Sequence, residues 1–339
     1  MAAAAVTIGA QCALAALPPV AAPLPSSVPT DAAIAALDPA LAARILALDP
    51  LHLSAADVRD VLSQAPAPRI LAFSGSVAFV TMAPFSRFLI AMGYPAAQLA
   101  NPRDGALSES SFAGSARIAG TLAWYYERDG SMPMLVGHSQ GGMLVVRTLH
   151  ELAGEFSPEV PVWNPLTDEA EPRATIVDPA TGAPRPVVGL TVPYATAIAT
   201  GRLPRLLLGQ WSMLSRLRRI PDTVREFTGF SLPFDPIAGE FGGSEPYQAT
   251  GTAEVRNVLL PAGYSHIDLP RAEHLAADPA LRAWIEAYVP AATPPALPEA
   301  GGADASNLLH AADIWYSVRK HWCLEAQRRI RAQQGRAAQ

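Results

Sequence analysis

The chain reads as an α/β protein with a mostly parallel central sheet and helices on both of its faces. Three observations predict this. Short apolar runs of strand length, such as Arg69–Phe73 and Pro133–Val136, alternate with longer stretches of helical period. Past Arg69 these runs are continuously apolar, as strands covered on both faces are. Half of the 339 residues are apolar and only 16% are charged, enough to fill a large core.

Taken in order, residues 31–64 hold two helical segments, the second capped by Ser54 and running through Val58 and Leu62. Pro66 and Pro68 break the chain before the first strand, Arg69–Phe73. Ser74-Gly75-Ser76 then turns into a helix from about Val80 to Met92, and Ala96–Ala100 is a weaker strand. Ser111–Glu127 is helical, with Ala113, Ile118, Leu122, Trp124 and Tyr125 as its apolar face. Pro133–Val136 is the next strand and Met143–Leu152 the next helix.

After this the regularity stops. Pro158–Pro186 reads as an inserted loop or small hairpin, and Val187–Val192 returns as a strand. Arg202–Arg219 mixes leucines with arginines, as an amphipathic cap helix would, and its basic face suits membrane contact less well than packing over the sheet. Thr223–Leu232 and Glu254–Leu260 are further strands, and Ala280–Tyr288 closes with a helix. Ser306–Arg331 is a last helix, offering Leu308, Ile314, Trp315, Val318 and Trp322 for docking on the core. The chain thus divides into a tail at 1–30, N-terminal helices at 31–66, a main domain at 67–290 with an insertion near 155–186 and a cap near 199–222, and a linker and helix at 291–339.

Composition excludes several functions. A net charge of -5 gives no general attraction to nucleic acid or anionic lipid. Lys320 is the only lysine, which with the abundant Ala and Pro reflects base composition rather than a site. Cys12 and Cys323 lie near opposite ends and suggest no disulfide framework. The seven histidines show no metal-ligand pair, and no Gly-rich phosphate loop appears, so no metal and no cofactor is expected. Met1–Pro25 is Ala-rich and apolar: either an export signal lacking a basic start, since the first basic residue is Arg44, or a cytoplasmic tail.

The sharpest feature is Gly137-His138-Ser139-Gln140-Gly141, set between an apolar strand and an apolar helix. A nucleophilic serine must project from a tight, strained strand-to-helix turn, and small neighbours avoid clashes there. The helix beginning near Gln140 also aims backbone N–H groups at a developing oxyanion. An ordinary turn serine would need none of this context.

On these residues the chain resembles the α/β-hydrolase superfamily, in its lipase and esterase branch with Gly-His-Ser-Gln-Gly; the resemblance spans about Ile70–Val289, and only the turn at Ser139 is specific. It implies Ser139 as nucleophile and backbone N–H donors at Gln140 and Ser76. At Ser74-Gly75 the chain departs from the His-Gly common in lipases. It also implies the order serine, acid, histidine. His266, in the loop after the Glu254–Leu260 strand, is then the base, with His274 as the alternative. Asp235, after the Thr223–Leu232 strand, is the acid, with Asp222, Glu240 and Glu245 behind it. Trp211, Met213 and Leu214 are candidates for lining a substrate pocket. The expected activity is hydrolysis of a small-molecule or lipid carboxylic ester. Acyl transfer or thioester cleavage on the same residues, and a catalytically silent binding protein on this fold, are the alternatives.

Overall fold

Five strands pair side by side, all parallel and in chain order: β1 (Ile70–Phe73), β2 (Met134–His138), β3 (Val192–Ile198), β4 (Val224–Ser231) and β5 (Glu254–Leu259). The computed structural model describes residues 37–77, 79–201, 210–242, 244–291, 296 and 304–337. Among them the helices are α1 (Pro39–Ala47), α2 (Ala55–Asp60), α3 (Ala83–Ala91), α4 (Ser115–Asp129), α5 (Gln140–Leu152), α6 (Pro279–Ala287) and α7 (Leu308–Ala337).

The two faces of the sheet feed two cores, because alternate strand residues point opposite ways. Ile70, Ala72, Met134, Val136, Tyr194 and Phe230 pack on α3, α6 and α7. Leu71, Phe73, Leu135, Ala195, Ala197 and Phe227 pack on α4 and α5. The mixed α/β class with helices on both faces is therefore as expected. The 155–186 insertion consists of two small hairpins, Trp163–Asn164 with Glu169–Ala170 and Thr175–Val177 with Pro184–Pro186.

Three expected elements differ. Ala96–Ala100 forms a single 3-10 turn at Ala96–Gln98, since Ala and Gln prefer helical to extended backbone. The edge beside β1 is taken by Glu109, which bridges Phe73 in parallel. The strand expected at Val187–Val192 is instead Val192–Ile198: Gly189, at φ 91°, is still turning, and Pro193 and the small Ala195 and Ala197 hide the strand signal. Of the expected cap helix, residues 202–209 lie outside the described residues. The remainder is one 3-10 turn, Trp211–Met213, with Met213 and Leu217 sunk into the α4/α5 core. The 1–30 tail, Cys12 and most of the 291–302 linker also lie outside the described residues. No described helix is long and apolar enough to cross a membrane.

The last helix docks rather than projecting, and it carries charge into the interior. Arg256 on β5 grips Asp313 of α7 with two bonds (2.6 and 2.8 Å) and reaches Ser317 at 3.0 Å. Glu226 on β4 accepts from Ser317, Lys320 and His321 of the same helix. Burial would raise the Glu226 carboxyl, but His321 and Lys320 outweigh it and hold it well below the usual range. Beside this cluster Trp322 is fully buried, edge-on to Tyr94 at 5.0 Å. Trp322→Ala should therefore cost about 3–5 kcal/mol in urea-unfolding free energy; a loss under 1 kcal/mol would mean that α7 is not packed as described.

Candidate active site

The strand registers bring all five C-terminal ends to one edge: Phe73 is level with Gly137, His138 with Ile198, Ile198 with Phe230, and Ser231 with Leu259. Here the chain also reverses direction across the sheet. It leaves β1 for Glu109 on the outer side, then returns through α4 to β2 on the inner side. A crevice at such a switch point, outside the carboxyl ends of parallel strands, is where α/β proteins bind ligands.

Ser139 stands at this point, between β2 and α5, with φ 53° and ψ -118°. A non-glycine residue held there costs about 1–3 kcal/mol. The surroundings leave it no alternative. Its N–H donates to Ile198 O (2.8 Å), and its carbonyl accepts from Thr200 Oγ1 (2.9 Å) and from Gly142 N (3.1 Å). Gly137 and Gly141 are obligatory by contact: a Cβ on Gly137 would overlap the Gly141 carbonyl, and one on Gly141 would overlap the Phe73 carbonyl.

The loop after β1 presses on the same turn, with a Cβ position on Gly75 only 3.3 Å from both Ser139 Cβ and His138 Nδ1. Ser111, a buried residue before α4, donates to Gly75 O at 3.2 Å, and Ser74 Oγ bonds Ser108 Oγ at 2.5 Å. Ser76 follows as an exposed bend. Gln140 opens α5, whose first N–H groups have no partner within the helix.

Asp235 and His266 are brought together. His266 Nδ1 lies 2.7 Å from Asp235 Oδ2, and both side chains are buried. Asp235 Oδ1 accepts from Ala238 N (2.9 Å), so both carboxylate oxygens are engaged. Asp235 belongs to a two-residue ladder, Phe234–Asp235 against Glu240–Phe241, which Arg218 steadies by pairing with Glu240 at 3.1 Å while donating to Thr200 O. Thr200 thus ties this hairpin to Ser139. The remaining link, Ser139 Oγ to His266 Nε2, is not hydrogen bonded in this structure.

His138, adjacent to the serine, was not expected to act as its base, and its geometry gives it another task. Its Nε2 donates to the His266 backbone carbonyl at 2.8 Å, and the two rings lie 4.9 Å apart. Burial first, and the neighbouring His266 second, push its pKa down to about 3, so it stays neutral. The alternative residues lie elsewhere. His274 is 3.8 Å from Asp304, Asp222 binds the Thr252 and Ala253 amides, and Glu240 is taken by Arg218. Glu245 is exposed in the stretch after the hairpin.

Of the pocket candidates, one lies in the core and two lie on the surface. Met213 is core, and its segment runs along the far end of α5, where His150 bonds Arg216 O and Arg219 O. Trp211 and Leu214 are exposed on the same segment. The exposed apolar side chains on the loops carrying the site are instead Phe79, Phe112, Phe234, Ile237, Phe241 and Ile267. Phe234 and Phe241 meet edge-to-face at 5.7 Å on the Asp235 hairpin itself. Their signal in the sequence is weak, because most are isolated apolar residues in turn-rich segments and Phe79 is masked by its apolar neighbours Val77 and Val80. Among the described residues no group of histidine, cysteine and acid side chains could hold a metal ion.

Comparison with protein-family models, with curated proteins and with solved structures finds no match for the chain.

Burial also makes the fold acid-sensitive. His310, fully buried with Nε2 on Leu269 O, is pushed down to about 4. The unfolded chain takes up this proton below about pH 6.5 while the folded chain does not until about pH 4, so stability is full above the first value and falls between the two. His310→Gln, which keeps a donor but does not titrate, should flatten the pH dependence of the urea-unfolding free energy between pH 6.5 and 4.5. An unchanged slope would contradict this.

Proposed function

We propose that the protein is a serine hydrolase of the α/β-hydrolase fold that cleaves carboxylic esters of apolar acids. One observation carries the reading: a serine in a strained strand-to-helix turn at the sheet's switch point, and, 4.9 Å from the ring of the adjacent His138, a buried imidazole oriented by a buried carboxylate. Neither half of that pairing is needed to fold a parallel sheet, and nucleophilic acyl chemistry needs both.

In this mechanism Ser139 Oγ adds to the acyl carbonyl carbon as His266 Nε2 takes the hydroxyl proton. Asp235 accepts the His266 Nδ1–H bond, fixing the tautomer and stabilising the imidazolium. The oxyanion accepts from the N–H groups of Gln140 and Ser76. Ser111 on the Gly75 carbonyl holds that peptide plane, so that Ser76 N–H, trans to the carbonyl, faces away from Ser111. Collapse expels the alcohol, which leaves with the proton from His266, and water repeats the sequence on the acyl-enzyme. The exposed Phe79, Phe112, Phe234 and Phe241 suit an apolar acyl or alkyl group entering at this edge.

A second reading, a binding protein on a silent scaffold, is favoured by one observation: the unmade Ser139–His266 bond. Such bonds are often long without substrate and tighten in the reacting complex, so the first reading is preferred.

A fluorophosphonate separates the two. Peptide mapping should find the adduct on Ser139, lost in Ser139→Ala and in His266→Ala, with Asp235→Asn slowing ester turnover by about 10⁴. A folded protein that takes no label at Ser139 favours the silent scaffold. Phe234→Ser should lower kcat/KM for a long-chain p-nitrophenyl ester several-fold more than for the acetate. Equal losses on both esters would remove the apolar rim from substrate binding.

A further inference from the structure

The loop that carries His266 makes few bonds of its own. Within it, Asp268 N and Leu269 N reach back to Ser265 O, and Arg271 N reaches Asp268 O. Its main chain is also held from elsewhere in the sequence, by His138 Nε2 on the His266 carbonyl (2.8 Å) and, around that residue, by the start of α7. Asn307 Nδ2 donates to Asp268 O at 2.8 Å and to Arg271 O at 2.9 Å. His310 Nε2 donates to Leu269 O at 2.9 Å, and Leu309 N to the Tyr264 hydroxyl at 3.4 Å. These contacts bracket His266 on both sides. Its Asp235 bond fixes the ring, but the ring can meet Ser139 only if the backbone beneath it stays in place.

We propose that the first turn of the C-terminal helix clamps the base loop, with Asn307 as the positioning residue that keeps His266 in register with Ser139. The inference rests on the reading of His266 as the base.

Asn307 is suited to this task and poorly suited to a purely local one. It precedes the first residue of α7 and is buried, but its φ is 68°, a conformation that turns its side chain from its own helix toward the loop. Both amide hydrogens go to loop carbonyls. An aspartate of the same size, otherwise a strong helix cap, would set a carboxylate against two carbonyl oxygens. The helix behind Asn307 is a firm support. Asp313, Ser317, Lys320 and His321 bond it to β4 and β5, and Trp315 and Trp322 lie in the core.

The test compares Asn307→Ala and Asn307→Asp with Ser317→Ala in the full chain. Ser317→Ala removes bonds to Glu226 and Arg256 about 15 Å further along the same helix. It therefore controls for loss of stability alone. Both Asn307 variants should lower kcat and the rate of Ser139 phosphonylation by about tenfold or more, with KM within about twofold. Amide exchange should rise over 264–271 in both. Ser317→Ala should lower Tm while leaving kcat and exchange of that loop as in the wild type. Wild-type kcat and loop exchange in Asn307→Ala would overturn the proposal, as would a loss in Ser317→Ala equal to that in Asn307→Ala. Wild-type protein that cannot be phosphonylated at Ser139 would instead remove the reading of His266 as base. Loop exchange would then still show whether Asn307 holds the segment.

Discussion

The turn at Ser139 is a place where the backbone has no spare room, and much of the surrounding structure follows from that. β2 and α5 meet so closely that Gly137 and Gly141 cannot carry a Cβ, and Gly141 in turn lies against the last carbonyl of β1. Two strands and a helix therefore converge at the turn that carries this serine. The strain of its backbone, about 1–3 kcal/mol, is offset by the hydrogen bonds to Ile198, Thr200 and Gly142 that flank it. The loop after β1 has nowhere to lie except against this turn. Ser108 and Ser111 hold it there, a service the weak edge at Glu109 makes available.

The second constraint is electrostatic. Asp235 and His266 are buried together, and an unpaired carboxylate in that position would be costly. Each has its partners: Asp235 bonds His266 and the Ala238 amide, and the hairpin beneath it is tied through Glu240 and Arg218 to Thr200. A continuous polar path therefore runs from the Ser139 carbonyl to the imidazole. On the α7 face a separate ionic cluster around Glu226 and Arg256 bonds the middle of the last helix to β4 and β5. His138 and His310 remain neutral donors to carbonyls of the same loop.

Most of the sheet was legible because its strands are short and carry apolar runs, wholly so in β1 and alternating with polar residues in β4 and β5. The exceptions have local causes. β3 is built of Pro193, Tyr194 and small residues because α5 packs directly on it, and small residues carry little strand signal. The Glu109 bridge is one residue long, below what any periodicity can reveal. In the site, Ser139 was legible from spacing alone, since the glycines it requires are close in sequence. Asp235 and His266 needed the family order as well, because they lie 31 residues apart and only the sheet register joins them. Ser111, Asn307 and Thr200 carried no signal: each acts through a bond to a main-chain carbonyl, which any sequence can supply. Trp211, Met213 and Leu214 were singled out for being apolar, yet Met213 is sunk in the core and the other two share its segment along α5.

The central claim is that Ser139, His266 and the Gln140 and Ser76 amides form one reacting unit, although the serine and the imidazole are not hydrogen bonded in this structure. A crystal structure of the fluorophosphonate adduct tests it directly. The account predicts phosphorus on Ser139 Oγ, a phosphoryl oxygen within about 3 Å of the Gln140 and Ser76 nitrogens, and His266 Nε2 turned to the same centre with its Asp235 bond intact. A phosphoryl oxygen facing solvent, or a His266 ring still out of reach of the adduct, would contradict it.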